Sequence, residues 1–124
     1  MQWDDSEYAG FSSSKPWIMV NDNKDTINVK KALKDENSIL NYYKKLIKTY
    51  KQYGDIVRDG LYKDLLPNHK QLLVVSNFSS KTINIMGLLR KFKDYRFNIL
   101  LNNYKKFNNF ELKPYQSILV SLEK

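Results

Sequence analysis

Three carboxylates crowd the start of the chain: Asp4, Asp5 and Glu7, between Trp3 and the pair Gly10-Phe11. Carboxylate pairs are the machinery of glycoside hydrolysis, one protonating the leaving oxygen while the other attacks or activates water. Retaining enzymes hold the two about 5 Å apart, on opposite sides of the scissile bond. Neighbours in one loop do not straddle a bond, so these three are not expected to be catalytic by themselves. Other chemistry has less to work with. His69 is the only histidine and there is no cysteine, so a typical zinc site cannot be assembled. No G-x-S-x-G elbow supports a nucleophilic serine, and the four glycines form neither G-x-G-x-x-G nor a P-loop. Asn21, Asn23 and Asp25 alternate like calcium ligands, but Thr26 stands where that loop needs glycine and Ala32 where it needs the bidentate glutamate. A polar turn is the expectation there. Neither a metal nor a cofactor is called for.

The carboxylates sit in a stretch, Met1 to Val20, that also holds both tryptophans and the triplet Lys15-Pro16-Trp17. Neither a helical stripe nor a strand alternation threads through it, so it reads as a shaped loop. Loops dense in aromatics and carboxylates gather at binding sites. The strongest element after it lies between Asp35 and Tyr53. Ile39, Leu40, Tyr43, Leu46, Ile47, Tyr50 and Tyr53 recur at helical spacing. Asp35 suits the N-cap, and Gly54 suits a left-handed stop. Lys44, Lys45, Lys48 and Lys51 crowd the later turns, where the helix dipole favours cations. The stripe is a core-facing surface that must dock on something sizeable.

From Arg58 onward the period shortens. Gly60–Leu66 reads as a strand ended by Pro67-Asn68, and Leu72–Phe78 as a strand apolar enough to be central. Ser79-Ser80 makes a turn, with Lys81–Met86 as a hairpin partner. Gly87–Tyr95 is ambiguous, Leu88, Leu89 and Phe92 allowing one short helical turn. Phe97–Tyr104 and Tyr115–Leu122 are further strands, separated by an Asn-rich loop. A helix followed by antiparallel strands is an α+β order.

At 124 residues, with 42 % hydrophobic and 27 % charged residues, the chain is an ordinary globular length able to build one core. The net charge of +8 comes mainly from scattered lysines, with only Arg58, Arg90 and Arg96 as arginines. Lysine lacks the bidentate fork that reads phosphates and bases, so no nucleic-acid partner is expected. No apolar run reaches the ~18 residues that span a bilayer, and no signal peptide opens the chain. The expectation is a cytoplasmic protein without a membrane partner.

The opening MQWDDSEYAGFSSSKPWIMVN, then INV at 27–29 and SILNYYKKLIKTYK at 38–51, closely resembles a segment of glycoside hydrolase family 13. The nearest group comprises bacterial oligo-1,6-glucosidases, dextran glucosidases and trehalose-6-phosphate hydrolases. GLYKDLLPNHKQ, LLVVSNFS, ILLNNY and LKPYQSILVSLE are similar to phrases of the group's C-terminal β domain. The resemblance implies that the opening loop follows the eighth strand of a (β/α)8 barrel and that the long helix is the barrel's last. Residues 1–54 would then be a remnant of the catalytic domain, and 55–124 an antiparallel, sandwich-like β domain. Gln2, Trp3, Asp4 and Asp5 would be what remains of a substrate loop near the pocket mouth.

Two departures shape the functional expectation. The sequence opens inside the family's PMQWD phrase, downstream of the strands that carry the aspartate nucleophile, the glutamate acid/base and the stabilising aspartate. Gln71 also runs directly into Leu72 where the family has an aromatic strand and a turn, so the β domain would be one strand short. The expectation is a non-catalytic C-terminal fragment of an α-glucosidase whose intact relatives hydrolyse α-1,6-linked glucosides with retention. The alternatives are a carbohydrate-binding module or a subunit completing a separately encoded barrel. Partners would be an oligosaccharide, a barrel fragment, or a second copy docked through the Ile39–Tyr53 face.

Overall fold

A computed structural model describes residues 1–59, 70–107 and 110–124. The chain divides into two compact units, Met1–Lys45 and Leu46–Lys124. The predicted strand Gly60–Leu66 and His69 lie outside the described residues.

The first unit opens with a loop that forms neither helix nor strand as far as Val20. A 3-10 turn, Asp22–Asp25, follows, its N-cap Asn21 accepting from the Asn23 amide. Helix α1, Val29–Lys34, begins at the buried Asn28, whose Oδ1 accepts the Lys31 amide at 2.8 Å. The Asn28 amide group donates back to the Lys24 carbonyl at 2.7 Å, tying the 3-10 turn to the helix start. The first is the N-cap bond that a short side-chain oxygen makes well, and the second satisfies a carbonyl of the preceding turn.

Helix α2, Ile39–Gln52, starts later than the spacing predicts. Asp35 is the C-cap of α1 rather than the N-cap of α2. The capping oxygen belongs to Ser38, whose Oγ accepts the Asn41 amide at 3.2 Å and donates to the Ala32 carbonyl at 2.6 Å. Asn41 then reaches back to the carbonyls of Ala32, Leu33 and Asp35, closing the open end of α1. One serine and one asparagine thus satisfy the end of one helix and the start of the next, which displaces Asp35 from the role. Gly54 is likewise no left-handed stop. It opens helix α3, Gly54–Asp59, and the bonds Tyr53 N to Thr49 O and Val57 N to Tyr53 O carry the helical ladder through the junction. The last carbonyls of α2 are met by more helix, so no reversed turn is needed.

The second unit is built on an antiparallel sheet of β1 (Gln71–Ser76), β3 (Arg96–Asn102) and β5 (Ser117–Glu123) in the order β1-β5-β3. Among the described residues, the apolar run expected to be central, Leu72–Phe78, ends at Ser76 and lies beside β5, which takes the middle. Val74 and Phe78 accordingly stay exposed, whereas Ile118, Val120 and Leu122 of β5 are at most 2 % exposed. A strand flanked on both sides and covered on a face has less surface to leave open. The segment Lys81–Met86 does not pair with β1. Its short strand β2, Ile83–Asn84, pairs with β4, Glu111–Leu112, in a separate ribbon. Between them the ambiguous stretch forms helix α4, Met86–Leu89, and a 3-10 turn, Arg90–Phe92.

The core of this unit gathers Val75, Ile85, Phe92, Leu112, Ile118, Val120 and Leu122. Phe92 makes edge-on contacts with Tyr95 and Phe97, each at 6.3 Å between ring centres. At one end of the sheet, amide side chains replace apolar packing. Buried Asn77 donates to the carbonyls of Lys81, Leu112 and Lys113, and its Oδ1 accepts from Ser79. Buried Gln116 accepts the Lys113 amide and donates to Asn102. These bonds fasten β1, β4 and the approach to β5 where no ladder joins them.

Candidate functional site

The carboxylate loop is a closed turn organised around Asp4. Its Oδ1 accepts the Ser6 amide at 3.0 Å and the Ser6 hydroxyl at 2.6 Å. The same hydroxyl oxygen accepts the Gly10 amide at 2.9 Å. The Ala9 carbonyl receives the amides of Trp3 and Asp4, and the Ala9 amide returns to Ser6 O. To make that reversal, Ala9 and Gly10 both adopt left-handed conformations, φ 55° and +63°. Ala9 is buried, and Gly10 faces the Asp4 carboxylate.

The loop is anchored to α1. The first helical amides, those of Val29 and Lys30, donate to the carbonyls of Gln2 and Trp3 at 3.0 and 2.9 Å. Gln2 Nε2 donates to Asn23 Oδ1 at 2.8 Å. Lys30 reaches Asp5 at 3.2 Å, both side chains being about half exposed. Of the four residues expected at a substrate loop, Asp4 therefore spends its Oδ1 inside the turn, and Gln2 spends its amide nitrogen on Asn23 of the 3-10 turn. Asp5 is ion-paired, and Trp3 remains half exposed.

The electrostatics follow from these partners. The Ser6 hydroxyl and then the Ser6 amide hold the Asp4 carboxyl below the ordinary aspartate value. Its own backbone amide and then Lys30 hold Asp5 below it too. A hydrogen bond with Glu7 pushes the Tyr8 phenol up, since losing its proton would place two negative charges together.

Beside the turn lies an open, apolar cleft of about 370 Å³, lined by Gln2, Tyr8, Phe11, Trp17, Met19 and Asn21 among others. Trp17 is 94 % exposed. Sequence reasoning offered Trp17, with Trp3 and the tyrosines, as a ring to stack on sugars in the binding-module alternative, and it missed Lys30 and the cleft. Among the described residues, no group of three histidine, cysteine, aspartate or glutamate side chains is placed to hold a metal ion. Nor is any described helix long and apolar enough to cross a membrane.

Residues 1–60 match the catalytic domain of α-amylase. The oligo-1,6-glucosidase of Bacillus cereus is 36 % identical over 139 aligned positions, which take in 99 % of this chain and 25 % of the relative. The chain belongs to glycoside hydrolase family 13. A second relative, the oligo-1,6-glucosidase of Parageobacillus thermoglucosidasius, is 49 % identical over 94 positions, covering 66 % of this chain and 16 % of that enzyme. The crystal structure of Bacillus licheniformis trehalose-6-phosphate hydrolase overlays 99 % of the chain with a TM-score of 0.70 at 34 % identity, using 25 % of that enzyme. The chain thus spans about a quarter, or less, of the family 13 enzymes it matches. Because 139 positions are needed to align 124 residues with the B. cereus enzyme, that relative carries residues in the matched region that this chain lacks.

Proposed function

We propose that these residues are the C-terminal, non-catalytic part of an α-glucosidase: the loop and helix that complete its barrel, followed by its β domain, one strand short. The reading rests first on the catalytic-domain match, which stops at residue 60. The chemistry of the loop supports it. A general acid for glycoside cleavage needs a carboxyl whose pKa is raised, so that it still holds a proton at neutral pH. Asp4 and Asp5 are both shifted the other way, by Ser6 and by Lys30. Both are held toward the ionised form, and Asp4 Oδ1 is engaged by Ser6. The loop is a rim element: it presents Trp3 and the ion-paired Asp5 while the bond-breaking carboxylates stand elsewhere in the barrel. The intact enzyme would hydrolyse 1,6-linked glucosides, as the names of the oligo-1,6-glucosidases suggest, with the retention that the family resemblance implies.

The test is turnover of p-nitrophenyl α-glucoside by the purified 124-residue chain. No release above the uncatalysed rate is expected; measurable turnover abolished by Asp4→Asn or Asp5→Asn would overturn the reading.

A second reading, carbohydrate binding without catalysis, is favoured by one observation: the almost fully exposed Trp17 beside an open cleft. Amphipathic aromatic rings suit partners that are apolar on one side and polar on the other. Quenching of tryptophan fluorescence by isomaltose, lost in Trp17→Ala, would support it, and an unchanged spectrum would remove it.

A further inference from the structure

The positive charge of the chain belongs to its second unit. In residues 1–45 basic and acidic side chains balance at seven each, whereas in 46–124 fourteen lysines and arginines stand against six carboxylates. Four of those cations, Lys81, Lys105, Lys106 and Lys113, lie in three segments that the backbone joins at one end of the sheet. The Tyr115 amide donates to the Ser79 carbonyl at 3.3 Å, and Asn77 Nδ2 donates to the carbonyls of Lys81 and Lys113. Asn103 Nδ2 donates to the Tyr115 carbonyl at 2.9 Å. The segments so tied, 77–82, 102–107 and 112–117, contain no aspartate or glutamate. Among the described residues, none of the four lysines is in an ion pair. Glu111, the carboxylate next to them along the chain, sits on β4 opposite Asn84.

Aromatic rings stand among these cations. Phe78 is 90 % exposed and Tyr115 is 64 % exposed. Tyr115 also holds φ 56°, a left-handed conformation that disfavours a bulky side chain, and its ring recovers little packing in return. Tyr104 is fixed by its hydroxyl, which donates to the Pro114 carbonyl at 2.8 Å, and Lys113 Nζ lies 5.6 Å from its ring centre. Ammonium groups beside exposed rings suit a ligand that joins anionic groups to flat, half-apolar faces. The three segments hold no arginine, the side chain whose fork serves nucleic-acid recognition, so sugars fit better than bases. We infer that this end of the β domain binds an α-glucan carrying phosphate monoesters. Tyr115 and Phe78 supply the faces for its sugar rings, and Lys105, Lys106 and Lys113 hold its phosphates. The glucan rests on the α-glucosidase reading above; the phosphate rests on the charge.

The experiment is affinity electrophoresis of the 124-residue chain through gels containing potato amylopectin, which carries phosphate monoesters, or the same polymer after phosphatase treatment. The phosphorylated polymer should retard the chain, and removal of its phosphate should weaken binding about tenfold, as added salt should. Lys105→Glu with Lys106→Glu should weaken binding about tenfold through lost phosphate contacts, and Tyr115→Ala about fivefold through lost stacking. Lys34→Glu with Lys44→Glu changes the net charge equally in the first unit and should leave binding within about twofold. All five side chains are exposed, so circular dichroism should be unchanged in every variant. No retardation of the folded chain would overturn the inference, as would binding indifferent to phosphatase. Equal losses from the two lysine pairs would reduce the effect to diffuse charge and overturn it too. Tighter binding to single-stranded poly(U) than to the phosphorylated glucan would assign the surface to nucleic acid, and the inference would fall. Release of p-nitrophenol by the chain would refute the non-catalytic reading while leaving the binding result readable.

Discussion

A methyl group placed on Gly10 would stand 2.9 Å from an oxygen of Asp4. The carboxylate that looks most like a chemical group is therefore packed against the one glycine, among the described residues, whose φ is positive. Both conditions act on Gly10→Ala: the left-handed backbone penalises any side chain, and the added carbon displaces Asp4 from Ser6. A cost of roughly 1–3 kcal/mol is expected for the first unit, read as a lowered midpoint in urea by tryptophan emission. An unchanged midpoint would mean the turn is not held this way.

Acid should loosen the same loop. Asp4 and Asp5 have folded-state pKa values below 3.8. A depressed carboxylate contributes stability that is fully present above its unfolded value and is lost as pH falls through the folded value. The near-ultraviolet signal of the tryptophans should hold from neutral pH down to about that value and fade below it. Ser6→Ala removes the largest cause at Asp4 and should move the fading to higher pH.

Asn77 predicts a larger effect in the second unit. Its amide serves three carbonyls, from Lys81, Leu112 and Lys113, in a place nearly sealed from water. Asn77→Ala leaves those acceptors without their donor, at roughly 1–3 kcal/mol for a buried unsatisfied group. Asn77→Asp should be worse, since a carboxylate turned toward carbonyl oxygens repels them. Denaturant titration checks the order.

Leu112 and Val74 separate core from surface. Leu112 is fully buried and joins the core cluster, so Leu112→Ala should cost about 2–5 kcal/mol. Val74 is mostly exposed although it lies in the most apolar run of the chain, and Val74→Thr should stay within about 0.5 kcal/mol. Equal effects at the two sites would contradict the placement of β1 beside β5.

These contrasts show which features were legible from residues alone. The irregular opening and the α2 stripe were readable because period, or its absence, is a local property. The start of α2 was not. Asp35 and Ser38 are both N-cap residues, and the choice between them depends on Asn41 reaching the end of α1, a six-residue helix too short to show a period. The position of β1 was equally hidden. LLVV and ILVSL are comparable apolar runs, and only pairing across more than forty residues puts the second in the middle. At the candidate site, the bond from Asp4 to Ser6 spans two residues and belongs to the local habits of aspartate. The Asp5–Lys30 pair spans twenty-five, beyond any spacing rule.

The most direct measurement is a carbon-13 NMR titration of the Asp4 and Asp5 carboxyl groups in the 124-residue chain. If the carboxylates of this loop are structural, both midpoints fall below 3.8 and Ser6→Ala raises that of Asp4. A midpoint lifted well above the ordinary aspartate range at either residue would mark a carboxyl poised to donate a proton, and would contradict the non-catalytic assignment.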